Sequence, residues 1–154
     1  MLSSIFAKHY QEHRAALLGL PVDATELEVH SYTLEGVPYN QLLTLLREGA
    51  IDYDICFQID QTSRLSTRLM TLSLCRPPQS NERLTPAESD RFIRLVHILV
   101  IAEAFFGSRK KARNWLKKPM AKFSGWSPLA LTSTTPGAHM VEDMLIQMAD
   151  GLVL

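Results

Sequence analysis

The most apolar stretch of the chain runs from Val96 to Phe106, where only His97 and Glu103 are polar and the two do not share a helical face. A helix that is apolar nearly all round has to be wrapped by other elements. Its start is marked by Thr85 as N-cap, Pro86 at the first helical position and Glu88 three residues after the cap. Gly107 supplies the left-handed residue that closes such a helix. In its first turns Ser89, Asp90, Arg91 and Arg94 predict one wet face. The pattern therefore sets a central helix over about 85–106.

On the N-terminal side, Ile5 to Leu18 carries a helical period, with Ser4 as cap and Gly19-Leu-Pro21 as stop. Asp23 and Glu26 suggest a capping box for Leu27 to Glu35, which ends at Gly36. The alternation Leu27, Val29, Ser31, Thr33 also suits a strand, but no second strand is offered for pairing, so helix is the expectation. Val37-Pro38-Tyr39-Asn40 opens a helix carrying Leu42, Leu43, Leu45 and Leu46, closed by Gly49. A short element, Tyr53 to Ile59, lies between Asp52 and Asp60. Thr62 or Ser63 is then placed to cap Arg64 to Leu74, and Pro77-Pro78 reads as a linker. Beyond Gly107, Ser108 caps a helix from Arg109 to about Lys117, stopped by Pro119. Ser127 and Pro128 start a short turn, and Thr135-Pro136 starts a last helix with Val141, Met144, Leu145 and Met148 at core spacing and Gly151 at its end. The expected fold is all-α, a multi-helix bundle about the central helix.

A chain of 154 residues with 46% apolar side chains fits one domain or a small pair sharing a core. The run Ile98 to Ala102 is far short of the roughly 20 residues a membrane span needs. The N-terminus lacks the charged start and long apolar stretch of a signal peptide, which points to the cytoplasm. Cys56 and Cys75 stand apart and read as buried reduced thiols. The net charge of zero hides an uneven distribution. Residues 1–60 hold three basic and nine acidic side chains, residues 61–122 thirteen basic and four acidic, and residues 123–154 three acidic alone. That asymmetry suits an anionic partner for the middle of the chain and argues against indiscriminate nucleic-acid binding.

Three short helices with tight turns are compatible with a helix-turn-helix, the third placing Ser63, Arg64, Thr67 and Arg68 toward a major groove. From Gln61 to Asn81 there are three arginines and no acid, which suits phosphate or guanine contacts. Three ordinary bundle helices with a polar outer face fit the same residues, since the turn lacks a glycine. The basic side of the 109–117 helix (Arg109, Lys110, Lys111, Arg113, Lys117, Lys118) reads either as a solvated face or as a contact surface for DNA or an acidic partner. Trp115 reads as a core anchor. His9 and His13 are four apart without a third ligand nearby, so no metal is expected. No nucleophile sits in a recognisable local setting and no phosphate-binding glycine loop appears, so neither catalysis nor a cofactor is expected.

Several ordered pieces carry a resemblance. They are Leu84-Thr-Pro-Ala-Glu-Ser-Asp-Arg91, Ala104-Phe-Phe-Gly-Ser108, Lys111-Ala-Arg-Asn-Trp-Leu-Lys-Lys-Pro119, Gly125-Trp-Ser-Pro-Leu129, Thr134-x-x-Gly137-Ala138, Val141-Glu-Asp-Met-Leu145 and Gly151 with a short apolar end. Together they resemble the toxin-binding domain of the Xre/MbcA/ParS-type antitoxins. Glu35-Gly-Val-Pro38 resembles the entry to the family's Xre-like helix-turn-helix, while Ile55-Cys-Phe-Gln-Ile59 departs from the repressor pattern. The resemblance implies an N-terminal helix (1–24), an Xre-like region (25–81) and a toxin-binding domain (82–154). It implies a RES-type toxin as partner, an enzyme that acts on NAD⁺. The antitoxin covers the mouth of the NAD site with Gly151, Leu152, Val153 and Leu154, the terminal carboxylate meeting cations that otherwise hold the NAD phosphates. Arg109, Lys110 and Arg113 become a second contact surface, and Trp115, Phe106 and Pro128 stay structural. A homodimer repressing its own operator DNA through Arg64 and Arg68 completes the expectation. A stand-alone DNA-binding transcription regulator is the alternative.

Overall fold

The computed structural model describes residues 4–74 and 80–151, with side chains from Ala7 onward. The Pro77-Pro78 linker, Cys75 and the segment Leu152–Leu154 lie outside the described residues. The helices are α1 (Ser4–Leu18), α2 (Glu26–Glu35), α3 (Tyr39–Arg47), α4 (Tyr53–Ile59), α5 (Arg64–Ser73), α6 (Pro86–Phe106), α7 (Arg109–Leu116), α8 (Pro128–Leu131) and α9 (Thr135–Ala149), with a 3₁₀ turn at Ala121–Phe123. Among the described residues there is no strand, and no helix is long and apolar enough to cross a membrane. The fold is the expected all-α bundle.

The chain divides into two compact units, one of residues 1–14 and 94–154, the other of residues 15–93. In α6 the residues Phe92, Leu95, Val96, Ile98, Leu99, Val100 and Ala102 are all buried, as its continuous apolar sequence requires. Each of these side chains except that of Ala102 contributes roughly 1.5–3 kcal/mol when removed from water.

In the 15–93 unit, an isolated antiparallel bridge joins Pro38 to Arg83. The Tyr39 amide donates to the Glu82 carbonyl and the Leu84 amide to the Val37 carbonyl, both at 2.9 Å. Ser89 overturns its expected wet position: it is fully buried, and its hydroxyl accepts the Val37 amide at 2.9 Å, satisfying a backbone donor that lies between α2 and α3 and has no intrahelical acceptor. The box on α2 is also shifted. Thr25, not Asp23, is the cap, its hydroxyl accepting from the Glu28 amide at 3.2 Å while the Glu28 carboxylate accepts from the Thr25 amide at 2.6 Å. Tyr32 donates to the Leu18 carbonyl and Gln41 to that of Leu17, fixing α2 and α3 against the end of α1. Cys56 is buried as expected. Burial, reinforced by the Asp52 carboxylate, pushes its thiol up to about 12, so it stays protonated and inert.

In the other unit, Ser108 caps α7 through the Lys111 amide and Ser127 caps α8 through the Ala130 amide, both as expected. α9 starts at Thr135 as expected, and Thr134 caps it, accepting from the Gly137 amide at 3.1 Å. Thr132, fully buried, donates to the Leu129 carbonyl at 2.6 Å, which closes the corner between α8 and α9. His13 Nε2 lies 3.1 Å from Glu103. His97 donates through Nε2 to Glu142 at 3.0 Å, leaving Nδ1 to accept from the Tyr10 hydroxyl when the ring is neutral.

Candidate functional site

The α5 surface in the 15–93 unit is set by Asp60, the residue that follows α4. Neither Thr62 nor Ser63 caps α5 with its hydroxyl. The Asp60 carboxylate accepts the Leu65 amide at 3.1 Å through one oxygen, and the Thr62 amide at 3.0 Å and hydroxyl at 2.6 Å through the other. Ser63 is left-handed at φ 63°, which bends the chain into the helix where a glycine is the usual choice. Burial by itself raises the Asp60 carboxyl, but the bonds from Thr62 and Leu65 and the Arg64 charge outweigh it and hold the group below the usual carboxylate range. Asp60→Ala is expected to cost about 1–2 kcal/mol, as lost caps do. A carboxyl depressed in the folded state contributes fully above its unfolded value, about pH 4, and loses that contribution as pH falls through the folded one. Urea unfolding of both proteins should show a gap at neutral pH that closes well below pH 4. A gap that persists in acid contradicts the cap.

On the outer side of α5, Ser63, Arg64, Thr67 and Arg68 are exposed, and with Thr62 and Thr71 they line an open groove of about 380 Å³. Buried Leu65, Leu69 and Leu72 form the opposite side. The structure thus brings all four residues of the candidate DNA surface together. Arg68 is engaged, however: its Nε donates to Glu82 at 2.8 Å and its Nη2 meets the same carboxylate oxygen. The Arg68 hydrogen bond holds the Glu82 carboxyl below its ordinary range.

In the other unit α7 buries Ala112 and Leu116, and Trp115 is half-buried with its ring tilted on Phe106 at 5.7 Å. That geometry divides the expected contact residues. Lys110 points away from the buried stripe, as do Lys111 and Asn114, all exposed. Arg109 and the half-buried Arg113 sit one turn apart on the shoulder beside Ala112. Arg109 Nε lies 3.6 Å from Glu103, whose other oxygen meets His13. These groups help line a groove of about 690 Å³ with His9, Tyr10 and Ser108. Gly151 follows the Asp150 cap of α9 in a left-handed conformation.

Residues 102–151 match the family described as the antitoxin Xre/MbcA/ParS C-terminal toxin-binding domain. Across 145 residues the chain is 36% identical to Antitoxin Xre of Pseudomonas putida, covering 92% of this chain and 86% of that protein. The chain belongs to the Xre antitoxin family. Antitoxin Xre of Yersinia enterocolitica is 33% identical over 88 residues, 56% of this chain and 60% of that one. In this Xre-family chain the toxin-binding match takes in the end of α6 and the whole of α7, α8 and α9. It also takes in Trp126, 59% exposed, which the sequence reading gives only as part of the motif Gly125-Trp-Ser-Pro-Leu129 and without a role of its own. The signal was there: Trp126 lies between Gly125 and the Ser127 cap, with no helical face of its own to bury it.

Proposed function

We propose that this Xre-family chain is the antitoxin of a type II toxin–antitoxin pair in the cytoplasm, acting by binding rather than by turnover. Its partner is a RES-type toxin, and the segment Gly151–Leu154 covers the mouth of the toxin's NAD site. Lys110, with Arg109 and Arg113 on the α7 shoulder, adds a second contact. Residues 82–154 act as the toxin-binding part, residues 25–81 as the DNA-facing part and residues 1–24 as an N-terminal helix. The observation that carries the reading is the toxin-binding family match over 102–151 together with 36% identity to an Xre antitoxin along nearly the whole chain.

The test is co-expression with the toxin encoded beside it, comparing the full chain with one lacking Leu152–Leu154. The short chain is expected to be pulled down with the toxin, yet to lose protection of growth and cellular NAD⁺. Full protection by the short chain overturns the plug. A full chain that neither binds nor protects overturns the antitoxin reading.

The same chain represses its own operon as a homodimer reading a palindrome through α5. The open, basic outer face of α5 supports this, and it also favours the second reading, a stand-alone transcription regulator. In a gel shift with operator DNA, Arg64→Ala plus Arg68→Ala should weaken binding at least tenfold, since each contact is worth roughly 1–3 kcal/mol. Unchanged affinity removes repression through this helix. Because Arg68 must exchange Glu82 for a phosphate or base, Arg64→Ala alone should account for most of the loss.

A further inference from the structure

Between Glu103 and Glu142 the chain carries Arg109, Lys110, Lys111, Arg113, Lys117, Lys118 and Lys122 and not one carboxylate side chain. Within this run the loop after α7 holds Trp126 out to solvent on a backbone that is tied down. The Trp126 amide donates to the Phe123 carbonyl at 3.0 Å, and its carbonyl accepts from the Met120 amide at 3.2 Å. The Gly125 amide returns to the Met120 carbonyl at 2.9 Å, and Ser124 and Gly125 are both left-handed, a sequence of turns that fixes where residue 126 points. Phe123, buried, anchors the turn from below, and Ser127 closes it by capping α8. Lys118 and Lys122, both exposed, belong to the same loop. A solvated indole on a pre-ordered backbone is costly to leave in water and cheap to immobilise on binding, the combination that marks an interface anchor.

We propose that Trp126, with the exposed Lys118 and Lys122 of the same loop, is the anchor of a docking surface whose occupant is the cognate toxin, presenting an apolar slot rimmed by carboxylates. This rests on the antitoxin reading, and it places an interaction outside the NAD-site plug. The absence of acid from Ala104 to Val141, with Lys118 and Lys122 exposed beside Trp126 in sequence, favours an acidic complementary face over a basic one. The family match over 102–151 sets a toxin above DNA as the occupant. The surface supplies affinity through the indole and encounter rate through the lysines.

The experiment measures binding of the purified full chain to the toxin encoded beside it, at low and high salt. Trp126→Ala is expected to weaken the complex roughly 30-fold, Trp126→Phe to recover most of that, and both to keep the thermal unfolding of the parent. Lys118→Glu with Lys122→Glu should slow association about tenfold at low salt and little at high salt. A fluorine label on the tryptophans of this chain alone gives a second readout, in which the Trp126 resonance shifts when toxin is added. If the unaltered chain forms the complex and Trp126→Ala binds equally, or the Trp126 resonance stays fixed, the anchor is overturned while the antitoxin reading stands. If the unaltered chain forms no complex, both fall. If Trp126→Ala and the lysine pair weaken operator DNA and leave the toxin untouched, the surface is a nucleic-acid contact and the proposal is wrong.

Discussion

Gly137→Ala should unfold the α8–α9 corner and abolish toxin binding, although alanine is ordinarily the better helix former. In an unobstructed helix that exchange gains up to about 1 kcal/mol. Here a Cβ at position 137 would stand 1.9 Å from the Leu131 carbonyl oxygen, 2.8 Å from its carbon and 3.0 Å from the Thr134 hydroxyl that caps the same helix. The obstacle is backbone, so no rotamer relieves it. Either α8 moves off α9, or the cap from Thr134 to the Gly137 amide opens. We expect a loss of about 3 kcal/mol, the upper end of overpacking costs, and a fall in melting temperature of the order of 6–12 °C. Thermal unfolding and a toxin pull-down check it. An unchanged or higher melting temperature would mean that the corner is not close-packed.

The second large effect is expected at Gly36→Ala, in the 15–93 unit. Gly36 has φ 93° and ψ 134°, which an L side chain rarely adopts, and an added Cβ would lie 2.2 Å from the Leu84 carbonyl oxygen. Its own carbonyl accepts from Arg83 Nη1 at 2.8 Å, immediately before the Val37–Leu84 and Tyr39–Glu82 backbone bonds. Strain of about 1–3 kcal/mol adds to the collision, so a total near 4 kcal/mol is expected, a large share of the 5–15 kcal/mol that typically holds a domain. Hydrogen exchange should show the Tyr39 and Leu84 amides losing protection first. Gly49→Ala is the control: φ is also positive, at 74°, but nothing lies within 4 Å, so only the left-handed penalty of about 1–2 kcal/mol applies. Equal losses at positions 36 and 49 would show that strain alone, not the close approach to Leu84, sets the cost.

The surface groups proposed to meet toxin and operator follow a different logic from these glycines. Ser63, Arg64, Thr67 and Arg68 were readable as one face because helical spacing alone brings them together once α5 exists. Lys110 was readable for the same reason. What spacing did not separate was Lys110 from Arg109 and Arg113, because the Glu103 that meets Arg109 and the packing that half-buries Arg113 come from outside α7. The place of Trp126 between Gly125 and the Ser127 cap was legible in the sequence, but its 59% exposure was not, because the turn that holds it out depends on the backbone bonds among Met120, Phe123 and Gly125.

By itself the sequence determined what depends on neighbours a few residues away. Thr85, Ser108 and Ser127 cap through an amide three residues on, and the apolar run Val96–Phe106 requires a wrapped helix whatever surrounds it. It also carried the family, through motifs spaced along the second half. Only the tertiary structure decided the pairings between separate elements: Ser89 with the Val37 amide 52 residues away, Arg68 with Glu82 14 residues away, and His13 of α1 with Glu103 of α6. A cap is set by local backbone geometry, and its energy is available as soon as the helix forms. A polar residue is wet, buried or paired according to what a distant part of the chain brings to it, and no period along the sequence contains that information.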